Sequence, residues 1–409
     1  MVQIIATAGA WTSALSNLRP LVKANNTVPI LSCVLIAPRP GGGVAITGDD
    51  LDTRITVPLD AEHDMRRKAA GICVPLARVL AFARAIPAAE RMTLAESDGI
   101  QTLSGGGASI RDRVMARYLS DDFPAGCDLV DPLVECEWGE GVCDGLRRAL
   151  PFASHEETRY YLNGCALQFR ERWSLVATDG HRLINIPIGD HVGKAKPRAP
   201  FDSAILPRAL VETIVRLWPD EGPVRVRLFA SRIALEMGGT LVVGRLIDGT
   251  YPDWRRVVEG ATGEGLEKIL ALPSADLYRA TRHACDLIRV MSGSGYWGSC
   301  CLYATDSAVH LEARPDGGQV VVPVGLALDI GTSPMRPHFN PIYLRDLLKS
   351  MPGGELTISI KGEHSALVFQ TAGSDALALL MPMRGAFAPG QPVRGLDAEP
   401  EAEKPAKAA

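Results

Sequence analysis

The chain has 409 residues, 46% hydrophobic and 22% charged, with a formal net charge of −4. That length implies about two to four domains rather than one core. No apolar run approaches the ~18 to 20 residues of a membrane helix, and the acidic balance excludes a simple basic-patch binder of nucleic acid.

The start, Met1-Val2-Gln3-Ile4-Ile5, carries no basic leader, so a cytoplasmic protein with no membrane partner is expected. Nine cysteines are scattered without a Cys-x-x-Cys pair, which reads as buried reduced thiols.

Helix signals recur along the chain. Trp11 to Lys23 opens the first repeat, Gly141 to Ala153 the second and Ser274 to Leu287 the third. A second helix follows in each, opened and closed by proline: Leu76 to Ile86, Arg208 to Trp218, and Ile342 to Met351. The opening prolines Pro75, Pro207 and Pro341 are 132 and 134 residues apart. Alternating strands follow at Arg91–Leu94, Val224–Leu228 and Glu355–Ile360. The strand–turn–strand Val44–Pro58 matches Leu175–Pro187, with a looser copy at Val309–Pro323. Gly41–Gly43 and Gly105–Gly107 read as hairpin turns.

Three α+β domains are therefore expected, each with two helices and roughly eight strands, over 1–126, 127–258 and 259–384. Residues 385–409 are Gly, Ala, Pro, Glu and Lys with almost no large apolar side chain, and a disordered tail is expected there.

The helix faces turned away from the core are rich in cations: Arg78, Arg147, Arg148, Arg208, Arg279, Arg282, Arg345 and Lys349. On one helix this is an ordinary solvated face with local ion pairs. Repeated over most of six helices, it also suits a surface that holds phosphate backbones without reading sequence.

No P-loop, nucleophile elbow, zinc-binding helix or histidine cluster occurs. Asp179 and His181 form the one tempting acid–base pair, which would suit a hydrolase. No Ser or Cys nucleophile is spaced to serve them, and Gly180 between them favours an exposed turn. No catalytic residue, metal or cofactor is expected.

Several stretches resemble the bacterial DNA polymerase III beta subunit, the beta sliding clamp family. They are Thr27–Leu31, Arg159-Tyr160-Tyr161-Leu162-Asn163-Gly164, Val176–Leu183, Leu246–Val257, Phe339-Asn340 with Tyr343, and Met381-Pro382-Met383-Arg384. The resemblance spans about residues 1 to 384.

It implies a DNA clamp fold of three domains, each with two helices and two antiparallel sheets, closing as a head-to-tail homodimeric ring around duplex DNA. It implies no catalysis, and tethering of the DNA polymerase III alpha subunit, the clamp loader, and repair polymerases, mismatch repair proteins and ligase. An accessory or duplicated clamp serving repair polymerases or a mobile element is the alternative.

Carried over by position, the partner-peptide pocket would comprise Arg159, Tyr161, Leu162, Thr178, Gly180, His181, Arg182, Leu183, Pro252, Arg256, Val257, Asn340, Tyr343, Leu379, Leu380, Met381, Pro382, Met383 and Arg384. Methionine suits a slot that accepts varied peptides. Read alone, Met381-Pro382-Met383 is equally an edge strand closing the fold. Tyr160 and Tyr161 would touch template bases, and the cationic helix faces would meet phosphates.

Three departures stand out. The loop Lys23-Ala24-Asn25-Asn26 has lysine where relatives often carry arginine, so Lys23 is the expected DNA contact there. The stretch Cys285 to Cys300, expected to face the partner's Ala108–Met115, diverges. The 25-residue tail after Arg384 is expected to modulate the pocket weakly.

Overall fold

The computed structural model describes residues 2–383 apart from 40, 66–70, 114–117, 170–171, 194–200, 202, 220, 293–298, 305–307, 316–317, 326, 328, 331–335 and 363–364. Arg384, the tail, part of the divergent stretch before Cys300 and Met115 therefore lie outside the described residues. The chain divides into two compact units: 1–143, 190–202 and 209–248 form the first, and 144–189, 203–208 and 249–409 the second.

Seven helices occur among the described residues: α1 (Ala8–Leu18), α2 (Leu76–Ala85), α3 (Glu140–Ala149), α4 (Arg208–Leu217), α5 (Trp254–Thr262), α6 (Ser274–Ser292) and α7 (Pro341–Ser350). α1 packs on α2, and α6 on α7. α1 starts earlier than its periodicity suggests, because the Thr7 hydroxyl accepts the Ala10 N–H at 3.2 Å and fixes the first turn. Pro20 lies just beyond its end. α7 begins where expected, with Pro341 in its first turn and the Asn340 side chain accepting the Ile342 N–H at 2.9 Å. α6 runs five residues past Leu287.

α5 was not foreseen. Its first four residues, Trp254 to Val257, end the Leu246–Val257 motif, which carries no long apolar period. The Trp254 ring is buried and its Nε1 donates to Gln168 Oε1 at 2.8 Å. One buried indole holds the helix down where periodicity is weak.

All strand pairing among the described strands is antiparallel, and the sheets explain why two units arise from three sequence repeats. In unit 1 an eight-stranded sheet runs Val134–Trp138, Val224–Leu228, Arg232–Met237, Thr240–Arg245, Thr53–Leu59, Val44–Asp49, Cys33–Pro38, Ile72–Pro75. Strands of repeats one and two thus form one sheet, joined where Thr53–Leu59 pairs Thr240–Arg245. In unit 2 a nine-stranded sheet does the same for repeats two and three. Its order is Ser203–Pro207, Gly164–Phe169, Trp173–Thr178, Arg182–Pro187, Leu377–Leu380, Leu367–Thr371, Glu355–Ile360, Glu267–Pro273, Asp329–Ile330. The joint pairs Arg182 with Leu380 and Leu183 with Leu379.

Outer sheets complete each unit: five strands in the first, ending on Ala108–Asp112, and four in the second, over Val320–Gly325, Val309–Ala313, Cys300–Ala304 and His338–Phe339.

Thr53–Leu59 alternates buried and half-buried positions, as a strand with one covered face must. Gly164–Gln168 is buried throughout, as in a central strand covered on both faces. Trp11, Trp138, Phe152, Phe339 and Phe369 are fully buried and anchor the cores. Each such side chain contributes about 1.5–3 kcal/mol by burial. Gly41–Gly43 and Gly106–Gly107 have positive φ and make the two hairpin turns. All nine cysteines are free thiols, and only Cys127 is not buried. Burial pushes the Cys33, Cys73, Cys165 and Cys301 thiols up to about 12.

Candidate functional site

The site is built on the turn between Trp173–Thr178 and Arg182–Pro187, wholly within unit 2. Gly180 has φ +88°, a conformation that strains any other residue, and a Cβ there would have to displace the tip of the Arg159 side chain, so glycine is favoured. Thr178 Oγ1 donates to the Arg182 carbonyl at 2.7 Å and accepts the Gly180 N–H at 3.1 Å. Asp179 Oδ1 accepts the His181 and Arg182 N–H groups at 2.9 and 3.0 Å, and its Oδ2 takes Arg182 Nε at 3.0 Å. The carboxylate is thus saturated by its own turn. The His181 ring stacks on Tyr343 instead (centroids 5.7 Å, interplanar angle 21°). A working acid–base pair does not exist here.

Arg182 was expected to line the groove. It is buried and serves as the pillar behind it. Its guanidinium donates to the Pro151 carbonyl at 2.8 Å and to Asp346 at 3.3 Å, and lies over the Tyr343 and Phe152 rings at 4.6 and 5.2 Å. Asp346 and Phe152 were missed in the sequence because they are tied to the turn only through tertiary structure. Burial, then the Asp179 charge, raises the Tyr343 phenol above its usual range.

Leu162, Leu183, Leu379 and Leu380 were expected to form the open slot. They are core residues, at most 5% exposed, and can act only as its floor. The open apolar surface beside the turn comes from Met381 and Met383, at 40% and 38% exposure, and Val257 is half-exposed on α5. Met381 donates its N–H to the His181 carbonyl at 2.8 Å, and Met383 donates to the His338 carbonyl at 2.7 Å. Met381–Met383 therefore leaves the joint strand beside the turn and ties it to the outer sheet of unit 2.

Arg159 is held by Glu156 through bonds of 2.8 and 2.7 Å. Asn340 spends its side-chain oxygen on the α7 cap. Buried Tyr251 lies beside Cys165 and Thr178, which sets neighbouring Pro252 near the turn. Burial raises the Tyr251 phenol. Arg256 is exposed on α5 and pairs with Asp253 at 3.1 Å.

The proposed DNA-contacting residues divide into two groups. Lys23, Arg147, Arg279, Arg282 and Lys349 are exposed, and Tyr160 is 54% exposed, edge-on to half-buried Tyr161 at 5.8 Å. Others are engaged within the fold, which corrects the reading of them as free phosphate contacts. Arg148 Nε donates to the Ser350 carbonyl at 2.6 Å, Arg208 to the Ala153 carbonyl at 3.3 Å, and Arg345 to Asp346 at 2.7 Å. Arg78, Arg147 and Arg279 are exposed and yet ion-paired, with Asp112, Asp144 and Asp276.

Residues 148–253 match the family profile described as DNA polymerase III beta subunit, central domain. The beta sliding clamp of Escherichia coli (strain K12) is 27% identical over 368 residues, covering 88% of this chain and 93% of that protein. The beta sliding clamp of Pseudomonas putida is 25% identical over 369 residues, covering 89% and 95%.

The chain is similar to the beta sliding clamps over almost nine-tenths of its length.

The solved sliding clamps of Bartonella birtlesii and Caulobacter crescentus superpose on 94% of this chain and all of theirs, each with a TM-score of 0.80, at 22% and 23% identity. The fold is that of the DNA clamps, with helices and antiparallel sheets as expected. Members of the family are non-catalytic processivity factors, and this chain is a DNA sliding clamp. Among the described residues no helix is long and apolar enough to cross a membrane, and no group of three His, Cys, Asp or Glu is placed to hold a metal.

Proposed function

We propose that two copies of this chain close head to tail into a ring around duplex DNA, and that the His181 turn docks short peptides of the proteins the ring carries. The three sequence repeats, 1–126, 127–258 and 259–384, are the ring's domains in this reading. DNA and a DNA polymerase are the partners that the family implies. The DNA polymerase III alpha subunit, the clamp loader, repair polymerases, mismatch repair proteins and ligase would share the docking site in turn.

One observation carries the docking role. Exposed Met381 and Met383 emerge beside the His181–Tyr343 stack, over a floor of buried leucines. An adaptable thioether rim over a rigid floor suits peptides that differ in their apolar side chains. The exposed cations Lys23, Arg147, Arg279, Arg282 and Lys349 would act through phosphates, and Tyr160 by stacking on unpaired bases.

Two measurements test this. Protein loaded by a clamp loader should be retained on closed circular DNA and released when the circle is cut, whereas release that ignores linearisation sinks the ring. A fluorescent peptide carrying Gln and hydrophobic residues should bind the wild type and lose about tenfold affinity with Met383→Ser or His181→Ala. Equal affinity for all three proteins would remove the site.

A further inference from the structure

The last described residues of the chain are themselves part of the candidate docking surface. Met381 and Met383 form its rim, and each is pinned by its backbone: Met381 donates its N–H to the His181 carbonyl at 2.8 Å, and Met383 to the His338 carbonyl at 2.7 Å. The backbone is therefore held in place up to Met383, beside the His181–Tyr343 stack. Residues 384–409 follow, so the side chains they carry start from that edge.

The sequence of this segment is sorted. Its three large apolar side chains, Phe387, Val393 and Leu396, all fall within residues 385–396, together with Gln391. Its acids, Asp397, Glu399, Glu401 and Glu403, all come after them. Pro389-Gly390 stands between Phe387 and Gln391, and this dipeptide favours a reversal of chain direction. A Gly- and Ala-rich chain of about eight residues, the step from Met383 to Gln391, spans roughly 15 Å end to end. That is about three strand spacings, enough to come back over a rim made by one strand end.

We propose that residues 385–396 fold back onto the His181 turn of their own protomer and compete there with the peptides of partner proteins. This rests on the docking role given to that turn. Phe387 and Leu396 supply the apolar groups, and the exposed thioethers of Met381 and Met383 adapt to either. Covering those thioethers removes apolar surface from water. The attraction need not be strong. A segment tethered this closely has an effective concentration on the order of millimolar, so even a millimolar ligand fills about half of the sites. A better matched partner peptide displaces it. The segment thus sets a threshold, turning away weak apolar sequences and yielding to strong ones.

Full-length protein serves for the test. The fluorescent peptide carrying Gln and hydrophobic residues should bind about two- to threefold more tightly when Phe387→Ser, Val393→Ser and Leu396→Ser are combined than it binds the wild type. These substitutions lie beyond the last strand and leave the cores untouched. A second readout is trypsin cleavage after Arg394, followed by mass spectrometry. Saturating peptide should speed cleavage of the wild type about twofold, Phe387→Ser alone should do the same without peptide, and the wild-type rate should not change on tenfold dilution. Equal peptide affinity for the wild type and the triple variant overturns the proposal and leaves the docking site standing, as does cleavage that ignores the peptide. A wild-type cleavage rate that rises on dilution puts the segment on another molecule and also overturns it. No peptide binding by either protein removes the docking site, and the segment's target with it.

Discussion

Two turns in this molecule use one device to opposite ends. At Asp179–Arg182 and at Asp49–Arg54 an aspartate accepts an arginine Nε, and the arginine caps carbonyls near a proline and lies against an aromatic ring. Each arginine stands on the strand that joins two repeats into one sheet. What the device supports differs. In unit 2 the tight turn has glycine at the left-handed position, and a methionine rim follows. In unit 1 a turn of the same length has leucine at positive φ, and arginines stand on the rim. The same Asp–Arg pair thus supports two chemically different rims, so it serves architecture in both turns.

The comparison breaks first at the pillars. Arg182→Ala removes a buried cation that answers Asp179 and Asp346, and should cost about 3–5 kcal/mol in urea unfolding. A loss under about 1 kcal/mol would mean that Arg182 is not structural. Arg54 is more exposed, and Arg54→Ala should cost about 1.5–3 kcal/mol, read from the same denaturation midpoints. Gly180→Ala places a Cβ at positive φ and should cost about 1–2 kcal/mol. The reverse change, Leu51→Gly, should be neutral or stabilising by at most about 1 kcal/mol, since relief of strain is offset by a more flexible unfolded chain. A clear loss of stability there would show that Leu51 is held by packing rather than kept for contact.

The helices between prolines were legible because proline marks helix ends through its fixed φ and missing N–H. The threefold spacing of Pro75, Pro207 and Pro341 carried the repeat. The proposed docking surface was legible in part. The His181 turn and Met381–Met383 stand out as polar and soft residues among strands. That Leu379 and Leu380 lie inside is visible only when strand partners are known, because alternation shows which residues share a face but not which face is covered. Likewise Arg148 and Arg345 look like surface cations until Ser350 and Asp346 are set beside them. The arginine rim in unit 1 was illegible, since Arg232 and Arg245 become neighbours only through strand register.

Because sheets run across the sequence-repeat boundaries, a single repeat does not close its own sheets. A fragment cut at residue 258 would keep Arg182–Pro187 but lose its partner Leu377–Leu380. It would then expose an apolar strand edge, a template for self-association. The joint strands thus act as clasps: each repeat borrows its neighbour's backbone to close its own sheet, and unfolding is expected to proceed by unit rather than by repeat.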